Sequence, residues 1–503
     1  MTTNRIVIVG AGAAGVFTAY RIREMYGDAY EVLLFEANDR VGGNTMSATV
    51  EYGGKPYNID CGAQFFYKNP QPSYTALVDQ LGLMDSASEV ISAPAGFLVW
   101  DKQANDQRLW LPSRVIEFLQ YDAADWGRLS EFLIYLAYSA ELDRSNPSWT
   151  LSIDDWFKTL HLLSDDFKEK VIKPFVYQFV SLPYSRIGES SALYATTYFV
   201  RNLFGEPGTP DVDTDPPDLP GLPTFQTYQS MIGLDGILKR ALEAAGVTPK
   251  LKTPVLAVRP DSSGAGGALH VTTKDGVLQA DHVVFACDPH KAADIIEAGT
   301  SVGGVSTLLP LVTNLRGLEY IPLTIRMQKD GSCWMPPDSD DWEPANTIVD
   351  GDDLTFSVWF GRLRPTYGLG KRIPVFKSWG APNLGPCRHQ LLEHSHFIPL
   401  PTTTFMALRE GLKAWQGTNG MWFAGGWTNW FDSQEAALDS ATAIAEALPL
   451  PAKPATGAAR MIKVQPEAIE RNLRRFAERV ARKAPKDLQQ GLTDVLERVK
   501  GEG

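Results

Sequence analysis

The chain has 503 residues, 44% hydrophobic and 11% aromatic, too long for one ordinary core, so two intertwined globular domains are expected. A formal net charge of −12 excludes the basic footprint of a nucleic-acid binder. Four cysteines and seven histidines, none in disulfide or paired ligand spacing, argue against a metal centre and fit a reducing cytoplasm.

In chain order, Arg5-Ile-Val-Ile-Val9 reads as a buried strand. The N-terminus shows no basic and apolar leader pattern, so a signal peptide is not expected, and no apolar run reaches the roughly 20 residues that span a bilayer. Gly10-Ala-Gly12-Ala-Ala-Gly15 follows, then a helical run, then Glu31-Val-Leu-Leu-Phe-Glu36. This is one βαβ unit with a terminal acid. Gly10 allows a tight turn, Gly12 lets a pyrophosphate approach the backbone, and Gly15 lets helix and strand pack closely. The helix opening at Ala13 and Ala14 offers free N–H groups and a positive dipole end to phosphates. Glu36 is placed to accept hydrogen bonds from a ribose diol. The pattern predicts an enzyme with a bound dinucleotide.

The next segment separates NAD from FAD. Arg40-Val-Gly42-Gly43-Asn44 follows the second strand, and Asp60-Cys-Gly62-Ala63-Gln64-Phe65 comes shortly after. An acid ending the second strand and then Arg-x-Gly-Gly resembles the FAD-binding signature of the flavin amine oxidase and carotenoid desaturase superfamily, with bacterial FAD-binding oxidoreductases as the nearest group. The resemblance implies that Arg40, Gly42, Gly43 and Asn44 lie along the pyrophosphate and ribityl chain. It implies that Gly62, Ala63, Gln64 and Phe65 pass beside the isoalloxazine ring.

Residues 75–220 read as mainly helical and aromatic, and Pro207 to Gly221 as a surface loop or lid. A strand over 253–258 carries Val255, which the resemblance sets against the adenine. Residues 280–286 read as another buried strand of the cofactor domain, and residues 300–410 as the sheet of a substrate domain. Near the end, Met421-Trp-Phe-Ala-Gly425-Gly426-Trp427-Thr428 is an apolar strand running into glycines, and Ser433-Gln434-Glu435-Ala436 opens a small-residue helix. In the superfamily this strand, turn and helix close over the flavin. The helix N-terminus then faces the pyrimidine end, where its dipole stabilises negative charge. No cysteine sits in the 425–428 turn, so the FAD is expected to be non-covalent.

The expected fold is α/β. A Rossmann-like FAD-binding domain (1–70, 224–300 and 411–448) is interleaved with a mixed-sheet plus helical substrate domain (75–220 and 301–410). A helical tail follows over 458–503. In that tail Ile469, Leu473, Phe476 and Val480 recur at helical spacing among arginines, with a second stripe at Leu488, Leu492, Val495 and Val499. It reads as a helical hairpin packed on the enzyme or on a second subunit, in preference to a basic surface for peripheral membrane contact.

The resemblance implies hydride removal from a C–N or C–C bond of an apolar small molecule, with oxygen as the electron acceptor. Tyr177, Trp359, Phe360, Trp427 and Trp430 are the aromatic candidates to frame that substrate. Each of them is also a candidate for plain core packing, and Trp427 is the one whose motif position favours the functional reading. Lys377 and Trp427 are the candidates nearest the chemistry. Lys377 corresponds to a lysine placed near flavin N5 in amine oxidases, though a solvated lysine is the simpler reading. Two alternatives keep the flavin: a redox-neutral double-bond isomerase of unsaturated fatty acids, and a flavin-bound scaffold protein. No metal is expected.

Overall fold

The computed structural model describes residues 4–52, 54–66, 72–204, 225–261, 268–303, 306–331, 334–363, 374–380, 389–449, 466–482 and 493. The loop 207–221 and the second tail stripe lie outside these residues, except Thr493 within the latter.

The elements that position the site begin with β1 (Asn4–Val9), α1 (Ala13–Tyr26), β2 (Tyr30–Phe35) and α2 (Pro72–Gln80). Next come β3 (Phe97–Asp101), β4 (Asp106–Leu111), α3 (Ala123–Ser145), α4 (Lys173–Val180) and α5 (Ala192–Phe204). They continue with β5 (His282–Phe285), β6 (Tyr320–Gln328), β7 (Ala345–Asp350), β8 (Asp353–Trp359), β9 (Phe376–Gly380) and β10 (Gln390–Pro399). Last are α6 (Thr403–Leu412), β11 (Met421–Phe423), α7 (Gln434–Ala447) and α8 (Pro466–Ala481).

The first sheet is parallel, in the order β11-β5-β1-β2. Its strands are short apolar runs because both faces are covered. Ile6 and Ile8 face the layer of α1 and α7, while Val7 and Val9 join the main core. α1 and α7 are tied together by the Tyr26 hydroxyl donating to Ala445 O at 2.8 Å and Arg21 Nε donating to Thr442 Oγ1 at 3.1 Å.

The second sheet has seven strands in the order β10-β6-β9-β8-β7-β3-β4. Two of them, β3 and β4, come from the stretch whose aromatic content suggested helices. They alternate apolar residues at period two, and this alternation decides their fate. The register gives the sheet two distinct faces. Ala345 pairs with Val358, Val358 with Lys377, Phe356 with Trp379 and Met327 with Lys377, so these side chains share one face. That inner face continues through Phe97, Val99, Leu109 and Leu111 into the main core. Phe97, Phe132 of α3, Phe175 of α4 and Phe199 of α5 meet there, their ring centroids 4.5–6.0 Å apart. The outer face carries two small clusters, Leu98, Trp100 and Ile348, and Met335, Trp359 and Phe376.

Caps set the helix boundaries. Asp122 accepts from Asp125 N at the start of α3, and Asn146 closes that helix in the left-handed region at φ 44°. Thr402 caps α6 and Ser433 caps α7 in the same way. In the tail, α8 lays Leu473, Phe476, Ala477 and Val480 into the main core, against α3 and α5. Its apolar stripe is thereby buried against the protein.

Candidate active site

The turn after β1 is shaped by its glycines. Gly10 sits at φ 103°, and a Cβ on Gly15 would fall 1.9 Å from Gly10 O. Gly12 is different: a Cβ there would meet nothing closer than 3.9 Å, so its missing side chain leaves open space. Glu36 is buried beside this turn. Its carboxylate accepts from Ala11 N at 2.7 Å and from Asn38 N and Nδ2 at 2.9 and 2.8 Å. The segment leading to Val255 runs alongside, with Thr253 N donating to Glu36 O at 2.8 Å and Val255 buried just beyond. Gly42 N donates to Ala11 O at 2.9 Å, and Arg40 Nη2 donates to Gly43 O at 2.9 Å.

The late part of the chain closes on this turn. Gln434 Nε2 donates to Thr45 Oγ1 at 2.7 Å across 389 positions of sequence, while its buried Oε1 has no partner among the described residues. Asp432 is exposed to open space, yet burial pushes its carboxyl up to about 6. An acid both accessible and surrounded by protein faces a recess. Gly12, Ala13, Gly43, Asn44, Gly62 and Ala63 all keep accessible surface. These residues outline a trough of small side chains and accessible backbone with the buried acid Glu36 beside it, a set that fits a dinucleotide.

Lys377 enters this trough from β9. It is fully buried, and its ammonium donates to Asp60 O at 3.1 Å and Gly62 O at 2.9 Å. The reading of a solvated lysine is therefore corrected, because the register with Met327 and Val358 turns the side chain inward. Gln64 donates to Gln229 at 3.2 Å, and Phe65 is partly buried against the core.

Other expectations shift as well. Trp359 pairs with Phe376 and therefore points to the outer face. There it stacks on Phe376 at 6.3 Å and meets Trp342 edge-on at 5.2 Å, away from Lys377. The carboxylate of Glu435 is engaged by another helix. It accepts from Ser73 N at 3.1 Å and Tyr74 N at 2.6 Å, capping the N-terminus of α2. The N–H of Ala436 is likewise used, donating to Ser433 Oγ at 3.2 Å. Trp430 is held by α5 and α7, its indole N–H on Asp439 at 3.2 Å and Arg201 over its ring at 5.4 Å. Phe360 and Tyr177 are fully buried in the main core, and α4, which carries Tyr177, packs on the inner face of the large sheet. Trp427 is buried edge-on to Phe423 and folds back over Gly425, whose φ of 147° leaves no room for a Cβ.

Residues not singled out from sequence also line this region. Trp379 shares the inner face with Lys377, whose ammonium lies 5.5 Å from its ring centre, and its indole N–H donates to Ser181 Oγ at 3.1 Å. His394 and His396 pair with Ile325 and Leu323 and share that face too. Two histidines two apart on one strand do have paired spacing, contrary to the sequence reading. Still, no group of three metal-ligating side chains occurs among the described residues. The signal that finds them is the period of two in Gln390–Pro399.

A family model described as "Flavin containing amine oxidoreductase" matches residues 13–322. The chain belongs to that family. The amine oxidase-like α/β fold follows. Coproporphyrinogen III oxidase of Mycobacterium tuberculosis is 30% identical over 172 residues, 34% of this chain and 35% of the relative. The chain thus spans about a third of the length of the first curated relatives that it matches. Polyamine oxidase 1 of Oryza sativa is 42% identical over 59 residues, 12% of this chain and 11% of that one. Among solved structures, a fatty acid isomerase from P. acnes covers 89% of this chain and 99% of its own at 11% identity and a TM-score of 0.57. Cyclohexylamine oxidase from Brevibacterium oxydans covers 88% and 99% at 17% identity and 0.54. These likenesses show the fold. No helix among the described residues is long and apolar enough to cross a membrane.

Proposed function

We propose that the protein is an FAD-dependent oxidoreductase that removes hydride from a C–N or C–C bond of an apolar small molecule, with the FAD held non-covalently. The observation that carries this reading is the convergence of Lys377, the 60–65 segment and the Gln434–Thr45 clasp on one trough. Gly12, Glu36, Arg40, Gly43 and Gln434 would hold the cofactor. When bound, FAD supplies the hydride acceptor.

The chain's own groups do the rest. Gly12 and Gly43 keep side chains out of the phosphate path, and Arg40 adds a positive charge beside it. Lys377 pins the carbonyls of Asp60 and Gly62, which fixes the strip of backbone lying along the ring. Trp379, partly exposed on the inner face of the large sheet and backed by the buried Met327, Phe356 and Val358, gives the facing wall an apolar surface that orients a substrate and excludes water. The neighbouring cysteine supports the non-covalent reading. Burial pushes the Cys61 thiol up to about 11, which keeps it protonated and a poor nucleophile.

The test is direct. Purified protein should carry one FAD, released intact by acid or heat. Anaerobic mixing with a panel of amines, amino acids and unsaturated lipids should bleach the flavin for one of them, and air should restore the colour. Colourless protein after reconstitution, or a flavin that no compound bleaches, ends this reading. The apolar inner wall also suits an acyl chain, which keeps double-bond isomerisation as a second reading. A product of unchanged mass formed without oxygen uptake would select it.

A further inference from the structure

β10 is the edge strand of the large sheet, and its alternate residues divide sharply. Glu393 and Ser395 point outward, where Glu393 pairs with Arg326 at 2.8 Å. His394 and His396 point inward, with ring centroids 5.6 Å apart and planes inclined by 31°. His394 Nε2 and His396 Nδ1 are buried nitrogens with no hydrogen-bond partner among the described residues. A buried polar atom left without a partner is costly, and a bound ligand is one way to satisfy it. Two cations lie near the pair, Arg40 by His394 and Lys377 by His396; the cofactor's pyrophosphate would occupy Arg40, which leaves Lys377 to face a further anion.

We propose that His394 and His396 receive the carboxylate of an otherwise apolar substrate, which lies with its chain along Trp379. This deepens the function proposed above and rests on it for the place of the flavin. Two ring nitrogens on one strand can each donate to an oxygen of a carboxylate, and Lys377 supplies a positive charge beside them. An amine without a carboxylate is repelled by the same charge. The wall therefore selects acids over simple amines.

The pair also makes binding pH-dependent. Burial, His394 and Lys377 hold His396 down at about 4, and burial and Arg40 lower His394. A bound carboxylate favours the charged imidazole and raises both values, so binding takes up a proton. Affinity is then highest at low pH and falls as pH rises through the raised value.

The holoenzyme should be titrated with decanoate, decanamide and decylamine, read by flavin difference spectra and by calorimetry in two buffers of different ionisation heat. At pH 5.5 decanoate is expected to bind about tenfold more tightly than decanamide, and decylamine more weakly than either. Decanoate alone should show proton uptake and weaken towards pH 8. His396→Asn and His394→Asn should each lower decanoate affinity about tenfold and leave decanamide unchanged. Equal affinity for acid and amide, preference for the amine, or an undiminished decanoate preference in both variants overturns the proposal. The comparison of the three probes decides it even where a variant does not fold. Protein without flavin would refute the function proposed above, while calorimetry would still decide the carboxylate preference.

Discussion

The parallel sheet and the seven-stranded sheet build their halves of the trough in different ways. At the parallel sheet the work is done by backbone: Gly10 at φ 103°, Gly15 against Gly10 O, and Gly12 facing open space. At the large sheet it is done by side chains, Lys377, Trp379, His394 and His396, whose direction is fixed by pairing across strands far apart in sequence. Backbone sites demand particular residues at fixed spacing. Sheet-face sites demand only a register.

The contrast can be broken most severely at Gly15. Gly15→Val puts atoms where 1.9 Å separates even a Cβ from Gly10 O. The variant is expected to lose all bound flavin and about 3 kcal/mol or more of stability. Flavin absorbance per chain and a thermal melt check both. A variant that kept its flavin would show the turn to be far softer than its geometry implies.

Lys377→Met probes the other sheet. It leaves the carbonyls of Asp60 and Gly62 without their buried donor and is expected to cost about 2–3 kcal/mol. Flavin reduction by a competent substrate should slow in parallel, while a flavin content near one per chain is retained. Loss of flavin with unchanged reduction kinetics in the remainder would assign the lysine to cofactor retention alone.

Two tryptophans on opposite faces of one sheet sharpen the comparison further. Trp359→Leu removes a buried ring and Trp379→Leu a partly buried one, and each should destabilise by about 1–3 kcal/mol. Only Trp379→Leu should change the affinity for a ligand seen by flavin difference spectra. An equal change from both would mean that face does not determine role.

The smallest expected effect lies farthest from the trough. Glu343 is almost fully buried; burial pushes its carboxyl up to about 7, against the pull of Arg362 and the Trp110 indole N–H. The raised value means that the fold prefers the neutral acid. Its contribution is complete below the ordinary carboxylate value and is lost as pH rises through about 7. Melting temperature should decline across that interval, and Glu343→Gln should flatten the decline. A variant with the same slope as the parent places the titration elsewhere.

Legibility from sequence followed the same division. Gly10, Gly12, Gly15 and Glu36 could be read because each type is required by a local conformation or a fixed offset. Trp359 was placed among pocket candidates because composition marks an aromatic but not the side of the sheet that it faces. A one-residue change of register exchanges Trp359 for Val358. His394 and His396 were overlooked because their meaning depends on Lys377 and Arg40, which join them only through tertiary pairing. The aromatic stretch around Trp110 was expected to be helical because aromatic content alone does not distinguish periods of two and 3.6. Glu435 was legible as the acid of a closing helix, but its partner, the start of α2, carries no mark in sequence.

That last contact sets an order on biosynthesis. The acid that satisfies the first N–H groups of α2 is translated some 360 residues after them. A growing chain on the ribosome can complete β1, α1 and β2 early, but it cannot seal the trough until the segment beyond residue 434 has emerged. Loading of the cofactor is expected to wait until that segment is free to fold. A nascent chain arrested before that point should remain open to proteases in the region of residues 72–80.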